Sequence, residues 1–207
     1  IRDSEYTIRM RIPLKGNINF DDLVYGEINT DCSELDDFII ARSDGSPTYN
    51  LTVVVDDNDM NISHVIRGED HISNTPKQML IYKALGWTLP KFAHLPMILG
   101  SDGKRLSKRH GAKGTMEYKD LGYLPESLIN YLALLGWNPG NNNEIFDLDY
   151  LSENFSLDKV NKKSAIFDTT KLEWVSSRNI MNVSAAKLVD IVSEFDPTWC
   201  GEGHSLD

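Results

Sequence analysis

The sequence contains little cysteine and no long apolar run. Cys32 and Cys200 are the only cysteines among 207 residues, too few for a disulfide framework or a four-cysteine zinc site. We therefore expect reduced thiols, as in a cytosolic protein, and no zinc. No stretch approaches the roughly 20 consecutive apolar residues of a membrane-spanning helix, so we expect no membrane association. Internal repeats and low-complexity tracts are also missing, which excludes repeat and collagen-like architectures.

Basic residues are outnumbered by acidic ones, 21 to 31, which gives a net charge of −10. This excess of negative charge argues against a protein that binds nucleic acid over its whole surface. Positive charge is nevertheless concentrated in residues 101–120 and residues 158–187, each with 6 basic and 3 acidic side chains. Contact with nucleic acid is therefore expected to be local and to involve these two segments.

The pattern of apolar residues changes near residue 44, where Asp44-Gly-Ser-Pro47 interrupts the chain. Before this point, alternating apolar residues over 6–14 and further short apolar stretches predict antiparallel strands. After it, the β-branched run over 51–55 predicts a strand buried on both faces. The change predicts a domain boundary at residue 44.

An α/β arrangement is predicted for residues 45–100. The apolar stretches 62–67 and 94–99 predict two more strands, with a helix between them that has Thr75 as its N-cap and ends at Gly86. Sheets of this class bind ligands beyond the carboxyl ends of their strands. The polar residues that follow these strands therefore predict a ligand site at that edge.

Beyond residue 120 the apolar residues follow helical spacing, beginning with the stretch between Leu128 and Leu135. Asp147, Asp168 and Ser184 are candidate N-caps of three further helices. The buried faces of these helices are predicted to include Tyr150, Leu151, Leu172, Trp174, Val175, Leu188, Ile191 and Val192.

A glycine-bracketed basic loop is the most informative stretch. Residues 104–109 place four cations among six residues, between Gly103 and Gly111. Such charges repel one another unless an anion neutralises them, and glycine lets a phosphate approach the backbone closely. Ser107 and Lys108 can reach phosphate oxygens. On composition alone, a solvated basic loop without a ligand is the alternative.

The order of residues in this loop resembles a known signature. Arg105-Leu-Ser-Lys-Arg109 is similar to the KMSKS loop of class I aminoacyl-tRNA synthetases, and the His-Gly-Ala that follows resembles the bacterial glutamyl enzymes. Over about residues 6–195 the chain resembles bacterial glutamyl-tRNA synthetases. The other matching blocks are Gly45-Ser-Pro-Thr-Tyr-Asn-Leu51 with Val53-Val-Val-Asp-Asp57, and His64-Val-Ile-Arg-Gly-Glu-Asp-His71 with Asn74-Thr-Pro76.

The resemblance implies an α/β fold in four parts. Neither the HIGH motif of the family nor the cysteine-rich zinc motif of some members occurs in the sequence, so the chain is expected to be an internal piece of such an enzyme. The expected parts are the end of an antiparallel acceptor-binding insertion over 1–44, the second half of a Rossmann-type nucleotide-binding domain over 45–100, the KMSKS-like loop with an α-helical stem-contact domain over 101–184, and the start of an anticodon-side helical region over 185–207.

The resemblance also implies an activity. A glutamate–tRNA ligase uses ATP, which Mg²⁺ is expected to accompany, to form glutamyl-adenylate, and then passes glutamate to the 3′ end of the glutamate tRNA. The implied parent enzyme is cytoplasmic and monomeric, and the isolated piece is expected to be inactive. Two alternatives stay open. One is a shorter glutamyl-queuosine-type paralogue, which the helical pattern argues against, and the other is a non-catalytic tRNA-binding module.

Two residues are expected to bind the amino acid. The resemblance assigns Arg67 to the side-chain carboxylate of glutamate, and a guanidinium can grip a carboxylate with two hydrogen bonds. A structural ion pair with Glu69 or Asp70 is the alternative role of Arg67. Tyr49 matches a tyrosine that contacts the substrate, and a packed tyrosine is its alternative. Val53 departs from relatives that carry asparagine at that position.

The ATP site is expected to use the basic loop and two other positions. Lys108 is expected to stabilise the negative charge that develops on the phosphoryl oxygens, because an ammonium there favours the transition state over the ground state. Arg105, Ser107 and Arg109 support that loop and its phosphate contacts. Asp70 and Ile98 match ATP-contacting positions in the family, Ile98 through its backbone. The alternative for Asp70 is the cap of the helix near Thr75.

No metal site is expected among the side chains of the chain. The five histidines lack metal-ligand spacing, and Asp56, Asp57 and Asp59 are interpreted as a turn at the end of a strand rather than as magnesium ligands. The basic residues that are expected either to follow the tRNA stem or to form a solvated helical surface are Lys159, Lys162, Lys163, Lys171 and Arg178.

Overall fold

The computed structural model describes residues 6–107, 113–196 and 198. The chain divides into two compact units, of which the first covers residues 1–97 and the second covers residues 98–207. Each unit has its own apolar core. The α/β class predicted from the sequence is confirmed, with a sheet that mixes parallel and antiparallel strands.

The sheets of the first unit combine a hairpin with parallel strands. Strands β1 (Ile8–Met10) and β4 (Phe38–Ala41) form a small antiparallel pair. The main sheet contains β2 (Asn17–Asp22), β3 (Gly26–Asp31), β5 (His64–Gly68) and β6 (Lys91–Leu95), in the order β3-β2-β6-β5. β2 and β3 are antiparallel, whereas β6 runs parallel to both β2 and β5. One sheet therefore joins strands from both sides of residue 44.

The β-branched run after residue 50 is helical. Tyr49–Asp59 forms helix α1, so the strand predicted over 51–55 is wrong. Val54 is buried, and Leu51 packs beside it against helix α2 (Thr75–Leu85). Because residues three positions apart share one helical face, the pair can cover a neighbouring helix. A short continuous apolar run does not distinguish this arrangement from a buried strand.

Helix α2 starts and ends close to the predicted limits. A 3₁₀ turn over Glu69–Asn74 precedes it, and Asn74 occupies the N-cap position, so the prediction of Thr75 as N-cap is wrong by one residue. Thr75 is fully buried inside the first turn. Gly86 ends the helix with φ 71°, a left-handed conformation that glycine adopts without steric cost. The predicted end of the helix is confirmed.

Two strands replace the single strand predicted over 94–99. β6 ends at Leu95, and β7 (Ile98–Leu99) begins after Pro96-Met97. Proline has no backbone N–H to donate to a strand ladder, which accounts for the break. β7 pairs in parallel with β8 (Ala165–Ile166) of the second unit.

The second unit is mainly helical, as predicted. Tyr131, Leu172 and Val175 are almost completely buried and form the centre of its core, where helices α4 (Pro125–Gly136) and α6 (Thr169–Met181) pack together. The helices are α3 (Thr115–Asp120), α4 (Pro125–Gly136), α5 (Leu148–Asn154), α6 (Thr169–Met181) and α7 (Ala185–Phe195).

All three predicted N-caps of the second unit are confirmed. The Asp147 carboxylate accepts a hydrogen bond from the Tyr150 amide at 2.7 Å, and the Asp168 carboxylate accepts one from the Thr170 amide at 2.8 Å. The hydroxyl of Ser184 caps α7 in the same way. Each cap satisfies an amide that has no partner within the helix.

The predicted buried faces are confirmed in part. Leu151, Leu172 and Val175 are buried, whereas Trp174 keeps 38% of its surface exposed. Helix α7 has no fully buried residue, so its apolar side chains are only partly covered. No helix among residues 6–107 and 113–196 is long and apolar enough to cross a membrane.

Candidate functional site

The carboxyl ends of β5 and β6 bring two polar side chains together. Arg67 of β5 and His94 of β6 are direct register partners in the parallel pair. β2 lies on the other side of β6, with Asp22 opposite Phe92. The edge of the sheet therefore gathers Asp22, His94 and Arg67 where the sequence predicts a ligand site.

The Asp22 carboxylate is buried and fully used as an acceptor. Its Oδ1 accepts hydrogen bonds from the amides of Val24 and Tyr25, both at 2.9 Å. Its Oδ2 accepts from the His94 amide at 3.1 Å and lies 2.6 Å from Nδ1 of the His94 ring. These contacts compensate the cost of removing a carboxylate from water.

The Arg67 guanidinium donates hydrogen bonds to neutral acceptors on β6 and α2. Nε donates to Nε2 of His94 at 3.2 Å, and Nη2 donates to Oγ1 of Thr75 at 2.9 Å and to Oε1 of Gln78 at 2.8 Å. The Glu69 carboxylate, one of the two alternative ion-pair partners, instead accepts from Tyr25 and from the Met97 amide.

Burial lowers the pKa of both basic groups in the cluster, His94 and Arg67. Desolvation lowers the pKa of His94 below its usual value, although the hydrogen bond and charge of Asp22 oppose the shift. His94 is therefore neutral near pH 7. Desolvation also lowers the pKa of Arg67, while Tyr49, Asp57 and Asp70 act in the opposite direction. A guanidinium stays protonated despite such a shift.

Tyr49 begins helix α1 beside this cluster and is half exposed, at 50%. Its hydroxyl lies 3.2 Å from Nδ1 of His71, so the hydroxyl has a partner although the side chain is half exposed. A side-chain hydrogen bond also joins Tyr49 to Arg67, so the two predicted substrate residues lie near each other. Asn50, the next residue, accepts a hydrogen bond from Gln78 at 3.1 Å and so joins α1 to the cluster.

Two of the predicted ATP-binding residues, Asp70 and Ile98, lie in separate elements of the structure. Asp70 is exposed in the 3₁₀ turn before α2, and because Asn74 is the N-cap of that helix, the alternative of Asp70 as its cap is wrong. Ile98 opens β7, and its carbonyl accepts a hydrogen bond from the Leu106 amide at 2.8 Å.

The described part of the basic loop is a tight turn. The Gly100 amide donates to the Lys104 carbonyl at 2.7 Å, and Gly103 between them has φ 74°. Arg105 forms an antiparallel bridge with Leu99 and is exposed, whereas Ser107 is partly buried. The rest of the loop, with Lys108 and Arg109, lies outside the described residues.

The acidic residues after position 55 do not form the predicted turn. Asp56, Asp57 and Asp59 lie in the last part of helix α1, and burial raises the pKa of Asp57. Within residues 6–107 and 113–196, no group of three His, Cys, Asp or Glu side chains is arranged to hold a metal ion.

Two of the basic residues on α6 contact an aromatic ring. Lys171 pairs with Glu144 at 2.6 Å and lies 4.1 Å from the centre of the Trp174 ring, and Arg178 lies 5.7 Å from the same ring. Such cation–π contacts explain how Trp174 is partly covered without being buried.

Sequence reasoning missed the residues behind Arg67. The sequence pattern gives His94 no role, because the histidines lack metal-ligand spacing, and it does not point to Asp22 or Gln78. The residues next to a buried polar side chain in the sequence do not indicate which distant residues it contacts. The polar residues at the ends of β2 and β6 were the only available indication, and the pairing of these strands was not predicted.

Comparison with known proteins decides the family. The model of "tRNA synthetases class I (E and Q), catalytic domain" matches residues 1–174. The chain belongs to this class I synthetase family. The family resemblance stated from the sequence is thereby confirmed.

Relatives of this synthetase chain are named glutamate–tRNA ligases. That of Nitratidesulfovibrio vulgaris strain DP4 is 52% identical over 200 residues, 97% of this chain and 42% of the relative. That of Heliobacterium modesticaldum is 53% identical over 182 residues, 88% of this chain and 37% of the relative. The synthetase chain therefore spans about 40% of the length of such relatives.

Solved structures resemble the whole synthetase chain. The crystal structure of a glutamate tRNA ligase from Elizabethkingia meningosepticum, in complex with its amino acid, has a TM-score of 0.86 and 33% identity. The match covers 100% of this chain and 44% of that one. The glutamate-tRNA synthetase of Elizabethkingia anophelis has a TM-score of 0.83, also at 33% identity, with 45% of its chain covered.

Proposed function

We propose that the complete protein to which this chain belongs is a glutamate–tRNA ligase. It activates glutamate with ATP and transfers it to the 3′ end of the glutamate tRNA. The observation that carries this proposal is Arg67, a partly buried guanidinium whose hydrogen bonds to His94, Thr75 and Gln78 all go to neutral acceptors. The name of the relatives, and the amino acid bound in one of the solved structures, support it.

Arg67 selects an anionic side chain. A guanidinium held by neutral acceptors keeps its full charge, and in a partly desolvated site that charge favours a carboxylate partner. Glutamate supplies such a carboxylate, whereas glutamine presents a neutral amide in the same place. The half-exposed Tyr49 hydroxyl near Arg67 is a further contact for the amino acid. Val53 has no polar atom in its side chain, so it cannot make the substrate contact expected of the asparagine that some relatives carry at this position.

The activation step needs cationic groups at the phosphates of ATP. The α-carboxylate of glutamate attacks the α-phosphorus, the bond to the bridging oxygen breaks, and pyrophosphate leaves with that electron pair. We assign Lys108 to the charge that develops on the phosphoryl oxygens, with Arg105, Ser107 and Arg109 as further phosphate contacts. Asp70 is assigned to the nucleoside, and Ile98 to the adenine edge through its backbone.

The remaining partners follow from the same activity. Mg²⁺ arrives with ATP, held by phosphate oxygens and several waters. Among the described residues, the carboxylates on α1 belong to no group of three that is arranged to hold a metal ion. The basic side chains of residues 158–187 contact the phosphates of the tRNA stem. We further propose that the complete protein is cytoplasmic and monomeric.

Amino-acid-dependent ATP–pyrophosphate exchange tests the proposal. In the complete protein, glutamate supports exchange and glutamine supports little. The Arg67→Ala variant leaves the substrate carboxylate without its charged partner. The loss of such a contact weakens the free energy of glutamate binding by about 2–5 kcal/mol. Arg67→Lys restores only part of this, because an ammonium lacks the fork of a guanidinium. Discrimination between glutamate and glutamine therefore shrinks in Arg67→Ala.

The matched control is Arg9→Ala, which removes an exposed arginine of β1 and leaves exchange unchanged. Equal losses for glutamate and glutamine in a folded Arg67→Ala protein contradict the assignment. The site to which labelled glutamate is transferred distinguishes the glutamate–tRNA ligase from the queuosine-type paralogue. A tRNA ligase esterifies the 3′-terminal ribose, whereas the paralogue modifies a base. The helices α3–α7 after the basic loop favour the ligase.

A further inference from the structure

Two buried ionisable residues, Asp22 and His94, lie behind Arg67. Asp22 is 3% exposed and His94 is 0% exposed. A buried carboxylate and imidazole cost free energy even when paired, and apolar replacements of such pairs are often neutral or stabilising. His94 lies directly against the Arg67 side chain and Asp22 lies against His94, so the pair is placed to act on Arg67.

The hydrogen-bond donors determine the tautomer of His94. A guanidinium can only donate, so the Nε2 atom that faces Nε of Arg67 has to be the unprotonated nitrogen. The single ring proton of neutral His94 therefore lies on Nδ1, which donates to Oδ2 of Asp22. Asp22 is in turn held by two backbone amides of the turn after β2.

We propose that Asp22 and His94 are positioning residues for the Arg67 guanidinium. Asp22 holds His94 in the tautomer that accepts from Arg67, and His94 fixes the orientation in which Arg67 meets the substrate carboxylate. This inference rests on the proposed function of Arg67. The contacts to His94, Thr75 and Gln78 use Nε and Nη2, so they set the plane of the guanidinium and the direction of Nη1.

The orientation matters because a hydrogen bond from a charged donor is directional. The hydrogens of Nε and Nη2 are already donated to His94, Thr75 and Gln78, so the substrate carboxylate has to meet the hydrogens of Nη1. An arginine side chain has several rotatable bonds, and fixing it before the substrate binds removes that ordering cost from binding. Loss of the His94 contact is therefore expected to weaken glutamate binding without affecting ATP.

Two substitutions at His94 separate its two hydrogen bonds. In His94→Gln, the side-chain oxygen replaces Nε2 as the acceptor for Arg67. In His94→Asn, the shorter amide replaces Nδ1 as the donor to Asp22 but does not reach Arg67. The control is His64→Asn, which makes the same change at an exposed histidine on the same strand as Arg67.

Pyrophosphate exchange in the complete protein gives the first readout. We expect His94→Asn to raise the KM for glutamate about tenfold, the order expected when a buried charged group loses one partner. His94→Gln raises it less, and neither variant changes the KM for ATP. Equal effects of the two variants, or parallel increases in the KM for ATP, would overturn the inference. His64→Asn leaves both constants unchanged.

Nitrogen NMR of the histidine rings gives a second readout that needs no activity. In the complete protein labelled with ¹⁵N-histidine, and with His94 assigned by its absence in His94→Gln, we expect a protonated Nδ1 and an unprotonated Nε2. In Asp22→Asn, the amide nitrogen faces Nδ1, so the proton moves to Nε2 and the KM for glutamate rises. A wild-type His94 protonated at Nε2 overturns the inference.

The outcomes distinguish the inference from the proposed function. If wild-type protein shows no glutamate-dependent exchange, the proposed function is wrong, and the inference falls with the substrate role of Arg67. If Arg67→Ala impairs glutamate use but His94→Asn does not, the proposed function stands and the positioning role is wrong.

Discussion

The Oδ2 atom of Asp22 lies 2.6 Å from Nδ1 of His94, although 72 positions separate the two residues in the sequence. The parallel pairing of β2 with β6 brings them together, because Asp22 lies opposite Phe92 and His94 follows two residues later. The contact links the hairpin at the start of the chain to the edge of the sheet where Arg67 lies. Loss of either partner therefore affects both stability and the candidate site.

Acid is expected to destabilise the protein through His94. Burial lowers the pKa of His94 below 6.5 in the folded state, with Asp22, Arg67 and His71 as the neighbouring charged or titratable groups. Between that lowered pKa and 6.5 the unfolded chain binds more protons at this site. The contribution of His94 to the free energy of unfolding therefore falls as the pH decreases below about 6.5 and is constant above it. Urea unfolding between about pH 7.5 and pH 5.5 measures this slope.

The His94→Gln variant cannot titrate in this range and should lose that part of the slope. His64→Gln, which replaces an exposed histidine, serves as the control and should keep it. If the pH dependence of the free energy of unfolding is unchanged in His94→Gln, a group other than His94 causes the loss of stability in acid.

Gly86 and Gly136 should respond in opposite directions to the same substitution. Gly86 has φ 71°, and nothing lies within 4 Å of an added Cβ, so Gly86→Ala meets only the backbone strain of a left-handed residue, about 1–2 kcal/mol. Gly136 ends α4 without a positive φ and is equally uncrowded. Gly136→Ala should therefore leave stability unchanged or raise it by up to about 1 kcal/mol. Urea unfolding of both variants tests this, and equal losses would contradict the backbone explanation.

Removal of the Asp168 cap should destabilise α6. The carboxylate accepts hydrogen bonds from the amides of Thr170 and Lys171 at the start of the helix. Asp168→Ala leaves these amides without the cap, at a cost of about 0.5–2 kcal/mol in the free energy of unfolding. Asp168→Asn retains an acceptor and should recover most of it. The control Asp158→Ala, at an exposed aspartate, should change the free energy by much less, and a similar loss there would point to net charge instead.

Lys108 should affect the rate of activation more than substrate binding. In the complete protein, Lys108→Ala removes one contact to the transition state, which lowers the rate of glutamate-dependent pyrophosphate exchange by about 10²-fold or more. The KM for glutamate should change little, because the ammonium acts on the phosphates. Lys83→Ala, on an exposed part of α2, provides the control. A raised KM for glutamate with an unchanged rate would be inconsistent with the proposed role.

Elements specified by neighbouring residues were predicted well. The caps at Asp147, Asp168 and Ser184 and the stop at Gly86 depend on side chains and backbone angles within one helical turn. The family could also be predicted from residue order, since the Arg105–Arg109 segment alone resembles the family's signature loop. The run over 51–55 was mispredicted, because its β-branched residues favour a strand while their packing against α2 favours a helix.

The sequence by itself determined the family, the helical second unit and the presence of Arg67 at the end of a strand, because each depends on residue order or local spacing. Only the tertiary structure decided what surrounds Arg67. Its acceptors His94, Thr75 and Gln78 come from β6 and α2, and Asp22 comes from a hairpin far earlier in the chain. Strand pairing between distant segments creates these contacts, and the register of such pairing is set by the burial of the whole sheet rather than by the residues that meet.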